Sequence, residues 1–246
     1  MKPDSRSVVH IGINFLTAPP PVVGLQQSLV FQQAILASGL EFVRVENPPN
    51  GIQIVREAPY PLHITAGLVE QGAGQLLCIS PQPRGSLELF IQEVEAALSA
   101  FETTWPAPNR QLLRCDATLR ELHDASTPHA FQEIWEGRLG QPLQALAPFA
   151  RPVRGGGLRL VLEPLPGEAD PLQIELRIES YLRDPSKLYL EIQMNWLRPQ
   201  PPAAPFDPRR RLTQLNGFVE ESLYGFLNAT VPVGTAPAGS ATDQVT

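Results

Sequence analysis

Apolar residues along the chain switch between a period of two and a period of about 3.6, and the switches lay out its elements. Residues 8–16 alternate, with Val9, Ile11, Ile13 and Phe15 on one side and His10, Gly12 and Asn14 on the other. That is the pattern of a strand. A proline turn leads into residues 23–38, which read as a helix with Gly39 placed to stop it. Strands at 41–46 and 51–57 flank the turn Asn47, Pro48, Pro49 and Asn50, and strands at 61–68 and 75–80 flank a glycine-rich turn. Residues 86–105 carry Leu87, Phe90, Ile91, Val94, Leu98, Phe101 and Trp105 on one helical stripe. Glu88, Glu93, Glu95 and Glu102 lie off the stripe, Ser86 caps its start, and Pro106 ends it.

The order then repeats. Residues 110–121 alternate Leu113, Cys115, Ala117 and Leu119 against Arg114, Asp116, Thr118 and Arg120. Thr127 and Pro128 read as the cap and first residue of a helix whose apolar side holds Phe131, Ile134, Trp135 and Leu139. Strands follow at 158–163, 172–181 and 187–196, the last two joined by a turn at Arg183, Asp184, Pro185 and Ser186. After a proline-rich link at 199–205, Asp207 and Pro208 open a long helix that buries Leu212, Leu215, Val219, Leu223 and Phe226.

The expected fold class is α+β in two layers, an antiparallel sheet with helices on one side. Strand, helix, meander strands and long helix occur twice, so an internal duplication is expected, with halves at 7–105 and 110–229 and a disordered tail at 232–246. This element order resembles the duplicated architecture of the TATA-binding protein and, more loosely, that of helix-grip ligand carriers. The resemblance is one of topology, and it carries over no residue.

Composition narrows the class. Of 246 residues, 43% are hydrophobic and 18% charged, which a packed fold needs and wholesale disorder lacks. The 27 prolines sit mostly between apolar segments and punctuate elements. A net charge of −6 opposes nonspecific attraction to nucleic acid or anionic membranes. The compact basic run Arg209, Arg210 and Arg211 reads as a solvated helix start. A minor-groove binder also wants a basic, apolar sheet face, whereas Glu163, Glu175, Glu179 and Glu191 fall on the predicted wet face. Cys78 and Cys115 lie in apolar runs and read as buried free thiols. No signal peptide and no apolar stretch of about 18 residues is evident, so a cytoplasmic location is expected.

Candidate chemistry is sparse, and no cofactor motif is present. His10, Asn14 and His63 share one side of the first half's sheet and could line a pocket or form plain solvated surface. Phe101, Trp105, Met194 and Trp196 would line a cavity between the sheet and a long helix, or simply form core. His123, His129 and Glu133 make a weak metal set without recognised zinc spacing. The glycine-rich pieces 67–74 and 155–157 lack the terminal Lys-Ser/Thr of a phosphate loop and read as hairpin turns. Leu76, Leu77, Cys78 and Ile79 are apolar in both phases, so the sheet's second face should be covered by the other half or by a second chain. The leading expectation is a non-enzymatic protein-binding or assembly protein, with self-association possible. The alternatives are a helix-grip small-ligand binder or weak enzyme and, third, a nucleic-acid accessory protein.

Overall fold

The computed structural model describes residues 1–69, 72–197, 199 and 206–229. The alternating segments become nine strands: β1 (Ser7–Ala18), β2 (Arg44–Glu46), β3 (Gly51–Arg56), β4 (Leu62–Leu68), β5 (Gly74–Pro81), β6 (Gln111–Asp124), β7 (Gly157–Leu162), β8 (Leu172–Ser180) and β9 (Lys187–Trp196). They form one sheet in the order β2-β3-β4-β5-β1-β6-β9-β8-β7, every neighbouring pair antiparallel. The helices are α1 (Leu25–Ala37), α2 (Leu87–Thr104), α3 (Ala130–Trp135), α4 (Pro208–Gly217) and α5 (Tyr224–Asn228). The fold is therefore mixed α+β. The expected tail at 232–246 and all but Pro199 of the expected link lie outside the described residues.

Register turns the alternation into a core. Ile54, Ile64, Cys78, Ile13, Ala117, Met194 and Ile174 follow one another across seven strands, and all are buried. Each aliphatic side chain in such a row contributes roughly 1.5–3 kcal/mol. The helices meet this face. Phe31 of α1 packs on Trp105 (5.2 Å), Trp105 on Phe101 of α2 (5.2 Å), and Phe206 stacks on Phe15 (5.9 Å). Arg209 of α4 pairs with Glu88 (2.7 Å) and Glu95 (3.0 Å) of α2, joining the two long helices. The other phase of the strands stays partly exposed, apart from Val55, Asn195 and glycines.

Local signals placed several boundaries well. Ser86 Oγ accepts from Leu89 N–H (3.2 Å) at the start of α2, and Asp207 caps α4 through Arg210 N–H (3.0 Å). Gly39 ends α1 at φ +79°, a left-handed conformation that favours glycine.

The departures have physical causes. An extra residue at Val9 and another at Leu113 shift the β1–β6 register, so Val8 and Leu112 take the inward places expected of Val9 and Leu113. The cap of α3 is His129, whose Nδ1 accepts from Phe131 N–H (3.2 Å), rather than Thr127, and the helix lasts six residues. Between α4 and α5 the turn Phe218–Leu223 is π-helical, and its extra residue moves the buried stripe from Phe226, which is 44% exposed, to Leu227. Glu93 is buried and paired with Arg56. Arg211 is buried too, its guanidinium 4.7 Å from the ring of Trp196, so the basic run is not a fully solvated helix start. The piece 155–157 leads into β7 and is no hairpin turn. A Cβ at Gly157 would lie 2.1 Å from the Ile178 carbonyl oxygen, an approach that only glycine permits. A 3₁₀ segment at Leu143–Phe149 has no counterpart in the sequence pattern.

Candidate functional site

On the sheet face opposite the buried row of Ile13 and Cys78, His10 and Asn14 flank Gly12, which pairs with Ile79 of β5, and Ile79 pairs with His63 of β4. The three polar candidates therefore share one face. Beside His10 runs a cross-strand row: His10 pairs with Arg120, Arg120 with Glu191, and Glu191 with Arg177. Arg120 Nε donates to Glu191 Oε1 (2.8 Å) and Arg177 Nη1 to Glu191 Oε2 (3.0 Å). Burial, then the Arg120 charge, pulls His10 down to about 4, so its ring is neutral at pH 7. Burial and the neighbouring Glu191 push Tyr189 up to about 12.

A second row joins two amides to an ion pair. Gln75 Nε2 donates to Asn14 Oδ1 (2.9 Å), Asn14 Nδ2 to Asp116 Oδ2 (3.4 Å), and Arg114 Nε to Asp116 Oδ1 (2.5 Å). Toward β5 the same face turns apolar at Leu16, Leu77 and Ile79, all half-buried. The doubly apolar β5 of the sequence thus sends Leu76 and Cys78 into the core and the other two residues to this face.

Phe101, Trp105, Met194 and Trp196 are core residues, none more than 7% exposed. The Trp105 indole N–H donates to Val22 O (2.8 Å). A small cleft of about 50 Å³ lies between sheet and helices, walled by Ile11, Leu119, Phe90 and Leu212 with Arg6 and Asn216. A wider apolar groove of about 610 Å³ runs between α3 and the 3₁₀ segment, lined by His129, Phe131, Leu143, Leu146 and Val153.

The weak metal set is dispersed. His123 Nε2 lies 3.1 Å from Glu121 Oε2, His129 caps α3, and Glu133 accepts from Ser126 N–H (2.5 Å) and the Met1 amino group. Among the described residues no three His, Cys, Asp or Glu side chains could share a metal ion.

His123 instead belongs to a buried polar cluster that sequence reading did not assemble. Glu121 Oε2 accepts from Tyr224 Oη (2.6 Å), and Glu121 Oε1 pairs with the Arg6 guanidinium (2.6 Å). Arg6 reaches on to Asn216 Oδ1 (2.9 Å) and Glu220 (3.0 Å). Burial alone would raise Glu121. The hydrogen bonds from His123 and Tyr224 and the charge of Arg6 outweigh it and hold the carboxyl below its usual range. The Tyr224 phenol is pushed up, first by burial and then by Glu121. The signal was available: Glu121, at the expected end of that strand, and His123, two residues beyond it, continue the inward phase of Cys115, Ala117 and Leu119.

Both thiols are buried and free. Burial, with Glu93 nearby, pushes Cys78 up to about 12, and burial raises Cys115 as well, which removes the thiolate that nucleophilic chemistry would use. No protein-family model matches this chain, and comparison with curated proteins finds no match.

Proposed function

We propose that this chain is a non-enzymatic binding or assembly protein that holds a protein partner on the helix-free face of its sheet. The observation that carries the reading is the composition of that face. The Arg120–Glu191–Arg177 row, prearranged by hydrogen bonds, shares that face with the apolar residues Leu16, Leu77 and Ile79 of β1 and β5. Protein interfaces combine an apolar centre with a polar rim in which arginine is enriched. A ligand held between the sheet and a long helix is less well supported, because the cleft there offers about 50 Å³ against the roughly 300–1,000 Å³ of small-molecule sites; the groove beside α3 is the space of that size. The nucleic-acid reading loses its basic run: Arg209 is engaged by Glu88 and Glu95, and Arg210 and Arg211 by Asp170.

The scaffold in this reading is an internal duplication of the halves 7–105 and 110–229, joined at the β1–β6 pair. Outward from that pair the strands run β1-β5-β4-β3-β2 on one side and β6-β9-β8-β7 on the other, which fits a second half one strand shorter.

The test compares wild-type protein with Ile79→Glu and Arg120→Glu as bait in the same lysate. Both variants should keep the wild-type melting temperature within a few degrees and lose a partner that the wild type retains. Equal retention by all three would overturn the reading. A small molecule carried through native mass spectrometry of the untagged protein would favour the groove beside α3 instead.

A further inference from the structure

The two edges of the sheet differ in a way that points to a second binding mode, separate from the open face. At one edge, β2 has only three residues, two of them charged and paired (Arg44 Nε to Glu46 Oε1, 3.2 Å), and Pro48 and Pro49 follow it. Short length, charge and proline are the usual guards against strand addition. At the other edge β7 has six residues and no proline, and among the described residues its one strand neighbour is β8. Leu160, Val161 and Leu162 are 37%, 48% and 39% exposed, so the edge is apolar in both phases.

Its backbone is set for pairing. Ser180 N–H donates to Gly156 O (3.0 Å). In an antiparallel ladder alternate residues turn their N–H and C=O to opposite sides. Residues 158, 160 and 162 therefore face β8, while Arg159 and Val161 direct theirs at the free edge.

We propose that β7 pairs antiparallel with β7 of a second copy of this chain, about a twofold axis at Val161. The side chains select both the occupant and the register. Centred on Val161, the pairing sets Val161 against Val161, Leu160 against Leu162, and Arg159 against Glu163 of the other copy, twice over by symmetry. Centred on Arg159 it would oppose two arginines, and centred on Leu160 it would set Arg159 against Val161. Like charges directly opposite are destabilising and opposite charges stabilising, so the Val161 register wins. Arg159 is 66% exposed and donates to Glu175 (2.6 Å), a surface pair that it can share with a second acceptor, and among the described residues Glu163 reaches Gln173 (3.3 Å), so both side chains are placed at the edge where a second copy would meet them. A twofold contact closes on itself and yields a dimer, not a fibre. A six-residue edge is small beside the roughly 1,600 Å² of a standard interface, so the association is reversible and concentration-dependent.

Sedimentation velocity of the full chain over a concentration series tests this. The wild type should show a monomer–dimer equilibrium. Arg159→Glu and Glu163→Arg should each weaken it by about tenfold through like-charge opposition. An equimolar mixture of the two variants should regain the wild-type dimer, because each then offers the other's complement. Both substitutions are at the surface, and unchanged circular dichroism will confirm folding. A wild type that stays monomeric throughout, or a dimer indifferent to both substitutions, overturns the proposal. Equal retention of the lysate partner by wild type, Ile79→Glu and Arg120→Glu, with this dimer intact, would mark the open-face reading alone as failing.

Discussion

Two glutamates on adjacent strands show how much the face of a sheet decides. Glu121 of β6 lies opposite Leu190 of β9, and Glu191, the next residue of β9, lies opposite Arg120. One carboxylate points into the core and the other to the open face. Both are held by arginine, Glu121 by Arg6 (2.6 Å) and Glu191 by Arg120 (2.8 Å) and Arg177 (3.0 Å). The Glu121 side chain has no exposure, and Tyr224 and His123 complete its shell. A charge withdrawn from water must be compensated by its neighbours, whereas one at the surface has solvent as a substitute. Near-identical chemistry on the two sides of one sheet should therefore differ several-fold in energetic weight.

The strongest way to break the comparison is Glu121→Ala. It would leave Arg6 partly buried without its main counter-charge and Tyr224 Oη with His123 Nε2 (3.3 Å) in place of its closer, charged acceptor. Breaking one partner of a buried pair costs about 3–5 kcal/mol, so the urea midpoint should fall sharply at pH 7. A loss no larger than that of a surface pair would mean that water reaches the cluster. Next is Tyr224→Phe, which removes one hydrogen bond to a buried carboxylate and should cost about 2 kcal/mol. Because Glu121 titrates below its usual range in the fold, its share of stability is present above its unfolded pKa and fades as pH falls through the folded value.

His10 sharpens the contrast from the open face. Its ring is held near pKa 4 against 6.5 in the unfolded chain. Between those values the unfolded state binds the extra proton, so this group makes the fold lose stability as pH drops from 6.5 to 4. Allowing for its partial exposure, the loss is about 1–2 kcal/mol. His10→Gln should remove that part of the acid sensitivity and leave the part due to Glu121. Urea titrations of both proteins at pH 7 and pH 4.5 would check this, and an unchanged slope with pH would exclude His10 as a contributor.

Much of the architecture was legible because strand and helix periods are local properties. The strand at 187–196 and the limits of α2 emerge from apolar spacing together with Ser86 and Pro106. What was not legible depends on a neighbour. The inserted residues at Val9 and Leu113 exist only relative to the partner strand, and the π-turn that swaps Phe226 for Leu227 follows from packing along the last helix. Arg6 and Glu121 are 115 positions apart and Tyr224 is a further 103 along, so no spacing rule could join them. By contrast His10, Asn14 and His63 were placed on one face correctly, since phase within strands suffices for that once the strands pair.

The smallest expected effect is on the member of the pair that faces the open side, Glu191, whose partners Arg120 and Arg177 stay 41% and 43% exposed. Glu191→Gln keeps the shape of the side chain and removes its charge from between Arg120 and Arg177. Solvent at the two half-exposed arginines screens the pair, and the Gln amide still fills the half-buried place of the carboxylate, so the change in stability should be about 1 kcal/mol, a fraction of the Glu121→Ala loss. Its effect on binding should be out of proportion to that. Without the carboxylate, Arg120 and Arg177 lose the group that fixes their orientation, and the open face that also carries Leu77 and Ile79 becomes more positive. If that face holds the partner, Glu191→Gln should impair capture while leaving the urea midpoint almost unmoved. Glu121→Gln should do the reverse, lowering the midpoint while folded protein still binds. Loss of capture in both variants in proportion to stability would show that binding follows the folded fraction and not the chemistry of the face.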